Sequence, residues 1–156
     1  MAIAKTLQNF LTERDVKYDV VPHPRSLSSA LTAAAAHVPG DRLAKGVLIE
    51  DEAGYLMAIV PSTHRVDLGR MHRQLGRLVG LATEDEVAEI FKDCERGAIP
   101  PVGFLYGIET LLDESLAAQP EVWFEAGDHE ELIHVSRDEF GRIHDDIRRM
   151  QFSHHV

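Results

Sequence analysis

The stretch LAKGVLIEDEAGYLMAIVP, residues 43–61, sets the frame for the whole chain. Two apolar runs, 46–50 and 55–60, flank the turn Asp51-Glu52-Ala53-Gly54. A four-residue connection containing glycine between two such runs predicts a β-hairpin. Pro61 cannot donate to a strand ladder and closes the second strand. Lys45 stands at the mouth of the first strand, where a side chain projects over the end of a sheet.

Downstream, Asp67 is placed to cap a helix over 68–77. Leu68, Met71, Leu75 and Leu78 form its apolar stripe, and Arg70, Arg73 and Arg77 recur on the opposite side. Thr83-Glu84-Asp85-Glu86 is a capping-box pattern opening a further helix, with Val87, Ile90 and Phe91 as its apolar side. Gly97-Ala98-Ile99-Pro100-Pro101-Val102-Gly103 cannot be a central strand, because two prolines interrupt it, and reads as a shaped loop. Short strands are expected near 108–112, 122–125 and 132–135, and a last helix from about Arg137 to Met150.

Upstream, Ile3, Leu7, Phe10 and Leu11 predict an amphipathic helix over 3–14. Residues 17–21 predict a strand stopped by Pro22-His23-Pro24. Ser26 is a candidate cap for a helix through the alanines 30–36, ended by Val38-Pro39-Gly40. Helices and short strands in mixed order imply an α+β fold around a mixed sheet.

The chain has 156 residues, 44% apolar and 27% charged. Such a length implies one domain, 1–156, able to bury roughly 70% of its extended-chain surface without metal or disulfide. The single cysteine, Cys94, has no disulfide partner in the chain, which fits a reducing compartment. The N-terminus lacks the long apolar run of a signal peptide, and no stretch approaches the ~18 apolar residues of a membrane helix. A cytoplasmic location is expected, with no membrane partner. A net charge of −10 argues against a bulk nucleic-acid binder, DNA included, but leaves room for a local basic patch.

Four places in the sequence carry possible chemistry. Lys45 can offer a point charge to a phosphate or carbonyl oxygen; by position alone a solvated turn lysine fits as well. Converging N–H groups of the loop 97–103 can stabilise an oxyanion, or the loop is a tight connection across a sheet edge. His129 and His134 are five residues apart, so they do not form the i, i+4 pair of a zinc helix. No metal or cofactor is expected; His129 is either a substrate contact or an exposed turn residue. His64, Arg65, Arg70 and Arg73 outline a face for an RNA backbone, or simply a solvated helix face. Cys94 reads as a packed thiol rather than a nucleophile. The histidines His144, His154 and His155 read as exposed and receive no role.

The order of these segments resembles the YbaK/proline-tRNA-synthetase-associated domain family. The resemblance runs through Leu43-Ala44-Lys45-Gly46-Val47-Leu48-Ile49, Ala58-Ile59-Val60-Pro61, Val66-Asp67-Leu68, Ala82-Thr83-Glu84-Asp85-Glu86, the loop 97–103 and Trp123-Phe124-Glu125-Ala126-Gly127-Asp128-His129. It covers roughly residues 4–142. It implies a mixed, largely antiparallel sheet surrounded by helices, with a C-terminal helical extension from about 137.

It also implies hydrolysis of the ester in mischarged transfer RNA, with tRNA-Pro carrying a small non-cognate amino acid as the first candidate. Lys45 would hold substrate near the terminal adenosine. Gly97, Ala98, Ile99, Pro100, Pro101 and Gly103 would position the aminoacyl carbonyl, and His129 would line the pocket. Aminoacyl-tRNA is the implied partner, with an aminoacyl-tRNA synthetase as a further one. The chain departs from the family at Gly46, where Thr or Asn is common, at Ala98-Ile99, where small polar residues are common, and at His64. An activated ester needs little acid–base machinery, so orientation and charge stabilisation suffice. A non-catalytic nucleotide- or protein-binding member of the same fold, and a small esterase without an RNA substrate, are the competing expectations.

Overall fold

The computed structural model describes residues 3–25 and 29–156. In chain order the elements are α1 (Lys5–Glu13), β1 (Asp19–Pro22), α2 (Ser29–Ala36), β2 (Leu43–Asp51), β3 (Gly54–Pro61), β4 (His64–Val66), α3 (Leu68–Leu75), β5 (Val79–Leu81), α4 (Glu84–Ile90), β6 (Glu109–Asp113), α5 (Glu114–Ala117), β7 (Glu121–Glu125), β8 (Glu131–Ser136), α6 (Arg137–Ile143), β9 (Arg148–Met150) and β10 (Ser153–His155). The main sheet runs β1-β8-β7-β2-β3-β6-β9, with β5 also on β2, and β4 and β10 form a separate ribbon. Its longest ladders, β2–β3 and β7–β8, are antiparallel, while β2–β7, β3–β6 and β6–β9 are parallel. The fold is therefore α+β around a mixed, largely antiparallel sheet.

The β2–β3 hairpin forms for a local reason. The Asp51 side chain accepts from the amides of Ala53 and Gly54, both at 2.8 Å, and Gly54 takes a positive φ of 148°. Such an aspartate turn closes the hairpin without help from the rest of the chain. Strand β3 is then buried from Leu56 through Pro61 because both faces are covered.

Alternation along β2 sends its side chains to two different cores. Ala44 and Leu48 join Met57, Ile59 and Phe124 on one face, packed by Leu7, Leu11, Phe91 and Phe140. On the other face Ile49 joins Leu56, Ala58, Val60, Met71 and Phe152. Leu43, also on that face, belongs to a third cluster with Leu132, Ala33 and Val38. Lys45 lies on β2 between Leu43 and Ile49, so it stands between the second and third clusters.

Caps set the helix ends. Asp67 accepts from Arg70 N, Thr83 and Glu86 complete their reciprocal box, and Ser136 accepts from Glu139 N. Gly76 ends α3 in the left-handed region at φ 68°. Leu78 therefore falls beyond the helix and is 66% exposed, outside the stripe expected of it. The expected Ser26 cap lies outside the described residues.

The C-terminus differs from expectation. Helix α6 stops at Ile143, β9 replaces the end of the predicted helical run to Met150, and β10 follows it. Asp145 and Asp146 follow at once, the wrong charge for a helix C-terminus. Long-range contacts favour the extended form. The Asp113 carboxylate accepts from Phe152 N at 3.2 Å and Ser153 Oγ at 2.7 Å, and Phe152 is fully buried in the second cluster. Strands β4 and β5, also unanticipated, are three residues each and have no periodicity to read.

Candidate functional site

Strand β2 has two neighbours on one edge. It pairs with β7 at Leu43 and Ala44, and with β5 from Ile49 to Asp51. Residues 45–47 have no strand partner on that edge. Ala82 N bonds the Leu48 carbonyl there at 3.1 Å. Strand alternation turns the Gly46 amide and carbonyl the same way as those of Leu48, into the gap.

A cavity of about 250 Å³ occupies this gap, and Lys45, Gly46, Val47, Ala82, Val87, Gly97, Ile99 and Glu125 are among its walls. That is below the ~300–1,000 Å³ of sites for drug-sized ligands, and suits a group of amino-acid size. Lys45 also lines a second, more open groove of about 550 Å³, with Ser62, Thr63, His64, Arg65 and His155. Lys45 thus separates a small cavity from a basic groove. Its ammonium is held below the usual lysine value, first by burial and then by repulsion from Arg65. Among the described residues it makes no ion pair.

The loop 97–103 supplies one wall. Gly97 and Ile99 face the cavity, whereas Ala98, Pro100, Pro101 and Gly103 are buried and pack inward. At Gly103 a Cβ would come within 2.9 Å of Met57 Cβ and 3.0 Å of Thr110 Oγ1, so no larger residue fits. Gly46 meets a similar limit. A Cβ there would lie 2.8 Å from Met57 Sδ, so the methionine occupies the space that a Thr or Asn would need.

Two buried histidines hold the loop from either end. His129, at φ 63° after β7, donates from Nε2 to the Arg96 carbonyl. Its ring therefore clamps the loop entry and does not line the cavity. His144, fully buried at the end of α6, has Nε2 2.8 Å from the Pro101 carbonyl and Nδ1 3.0 Å from the Phe140 carbonyl. A neutral imidazole donates through one nitrogen only. The Phe140 carbonyl already receives the His144 backbone N–H, so the Nε2 proton belongs to Pro101. Burial holds His144 below the usual histidine value. It is not the exposed tail residue expected from sequence.

Glu125, read in the sequence only as part of a strand, is 7% exposed. Burial pushes its carboxyl up to about 7, against a hydrogen bond from Thr32 of α2. Lys45 and Glu125 each follow a paired residue, Ala44 and Phe124, on adjacent parallel strands. Alternation puts both on the same face of the sheet, just beyond the last paired residues.

The expected basic face is divided. His64 and Arg65 line the groove beside Lys45. Arg70 reaches Gln151 at 3.3 Å and Arg73 is exposed on α3. Arg77 is withdrawn into ion pairs with Asp51 and Glu109. Cys94 is half-buried, with its thiol pushed up to about 12 by burial, which makes it inert as a nucleophile. His134 stacks on Trp123 and does not meet His129.

A split sheet edge, a lysine between two cavities and a glycine-proline loop held by two histidines make up the candidate site. The chain belongs to the aminoacyl-tRNA editing domain family, which matches residues 23–143. No curated protein matches the chain significantly. Among solved structures, "a putative trans-editing enzyme for prolyl tRNA synthetase" is similar at 27% identity and TM-score 0.81, covering 97% of this chain and 96% of that one. A scaffold protein from epitope backbone grafting by computational design shares 26% identity at TM-score 0.81, covering 97% of each chain. The hypothetical protein APE2540 shares the fold at 21% identity and TM-score 0.84, covering 96% of this chain and 100% of that one. No helix among the described residues is long and apolar enough to cross a membrane.

Proposed function

We propose that this chain is an aminoacyl-tRNA deacylase that clears mischarged transfer RNA, with tRNA-Pro carrying a small non-cognate amino acid as its first candidate substrate. The observation that carries this reading is the position of Lys45 between a cavity of amino-acid size and a basic groove. The aminoacyl group enters the cavity and the terminal nucleotide lies in the groove. Their ester bond then falls over the Lys45 ammonium.

Hydrolysis breaks the bond between the acyl carbon and the ribose oxygen. Water adds to the carbonyl carbon, and one proton ends on the departing ribose hydroxyl. Negative charge on the carbonyl oxygen in the transition state is stabilised by Lys45 and by backbone N–H groups at the gap, among them that of Gly46. The loop, held by His129 and His144, limits the cavity and excludes larger amino acids as a second sieve. His64 and Arg65 meet the RNA backbone, and Arg70 and Arg73 extend that contact. The negative charge of the rest of the molecule keeps non-specific RNA binding weak.

The deciding experiment is deacylation of tRNA-Pro charged with alanine, cysteine or serine, beside correctly charged controls. Release of one wrong amino acid, lost in Lys45→Ala, supports editing and names the substrate. Release from none of them would favour another transfer RNA or a binding-only role.

A further inference from the structure

Glu125 presents a buried acceptor with nothing to accept from. Its Oε2 has no hydrogen-bond partner among the described residues. Facing it at 4.0 Å is Nε2 of His23, whose side chain is fully buried and whose Nε2 is also unpartnered. The His23 Nδ1 lies 2.8 Å from the Pro24 carbonyl. A carbonyl only accepts, so Nδ1 donates to it. Oε2 and Nε2 thus face each other across a gap too wide for a hydrogen bond, since an O–H···N bond needs about 2.6–3.0 Å. Buried acceptors left in this state cost on the order of 1–3 kcal/mol each, and native structures rarely retain them without use. Asp128 adds negative charge nearby.

A small cation with N–H donors would satisfy this oxygen. Among the described residues no lysine or arginine reaches this point. The cavity that Glu125 lines is the one proposed for the aminoacyl group, and the α-ammonium of that group has three donors and a positive charge. Its nitrogen is two bonds from the ester carbonyl carbon. Lys45 and Glu125 each follow the last paired residue of their strand and both line the cavity, so one substrate can meet both.

We propose that Glu125, with His23 beside it, is the recognition site for the α-ammonium group of the aminoacyl ester, which makes the pocket selective for free aminoacyl over N-blocked acyl groups. This inference rests on the deacylase reading. Its chemistry is consistent with the carboxyl's state. An empty pocket holds Glu125 largely protonated below neutrality, and a bound ammonium draws it into the ionised form. The remaining N–H bonds are left for the loop or for solvent.

The test compares the same transfer RNA carrying alanine and N-acetylalanine, with wild type and Glu125→Gln. Charge-assisted hydrogen bonds imply an advantage for the free amine of about 10- to 100-fold in kcat/KM, expressed mainly in KM. In Glu125→Gln that preference collapses toward unity. Equal rates on both substrates with wild type would overturn the inference while leaving the deacylase reading intact. An undiminished preference in a folded Glu125→Gln would do the same, giving Glu125 a structural role only. Hydrolysis of neither substrate, nor of any other mischarged transfer RNA, would remove both. The wild-type comparison does not depend on whether the variant folds.

Discussion

His144 Nε2 stands 2.8 Å from the carbonyl of Pro101, joining the end of α6 to the glycine-proline loop forty-three residues earlier. The bond is fully buried, so its loss leaves an orphaned carbonyl as well as a cavity. His144→Ala should lower stability by about 2–4 kcal/mol, and should weaken selection against large amino acids because the cavity wall is no longer held. Denaturant midpoints and deacylation of transfer RNA carrying bulkier residues check the two effects separately.

The same residue makes the fold sensitive to acid. His144 is held below its ordinary value by burial, so the unfolded chain binds the proton more readily than the folded one. The contribution is fully present above the unfolded value, about 6.5, and is lost as pH falls through the lower folded value. Urea midpoints measured from pH 8 to pH 5 should fall on the acid side. His144→Gln should flatten that fall, and an unchanged slope would assign it to other groups.

Glu125 has the opposite sign. Its folded value is raised to about 7 from 4.5, so its contribution is present below the unfolded value and lost as pH rises through 7. Glu125→Gln should stabilise the ligand-free protein at pH 8 by up to about 3 kcal/mol and have little effect at pH 5. Thermal unfolding of both proteins at the two pH values decides this. A destabilised variant at pH 8 would mean that the carboxylate has a partner when ionised.

Lys45→Ala should abolish deacylation without unfolding the chain, because its ammonium makes no ion pair among the described residues. Repulsion from Arg65 contributes to its lowered value, so Arg65→Ala should raise the Lys45 titration midpoint. An NMR titration of the lysine side chain reads this directly. No movement would place Arg65 away from the ammonium in solution.

Gly46→Asn should destabilise by about 1–3 kcal/mol, since its Cβ would press on Met57 Sδ. Adding Met57→Ala should recover part of that loss. A double-mutant cycle measures the coupling, and strict additivity would show that the two sites do not compete for space.

The parts of the molecule visible in the sequence are those set within a few residues. Asp51 and Gly54 close their turn, and Asp67, Thr83 with Glu86, and the β2–β3 hairpin form where the pattern put them, because each is satisfied by its own neighbours. The loop 97–103 was readable from its glycines and prolines, and Lys45 from its place at the strand entry.

Tertiary structure decided the rest. The gap beside 45–47 exists because β7 and β5 meet β2 at different heights, which no local signal records. His129 and His144 became clamps because carbonyls at Arg96 and Pro101 were brought to them from more than thirty residues away. The tail became strands because Asp113 and the second core took Phe152. Glu125 reads as any strand residue, and only burial against α2, with Oε2 4.0 Å from Nε2 of His23, sets it apart. Caps and turns are short-range and appear in the chain as written. Burial, sheet edges and orphaned acceptors are properties of what distant segments enclose together.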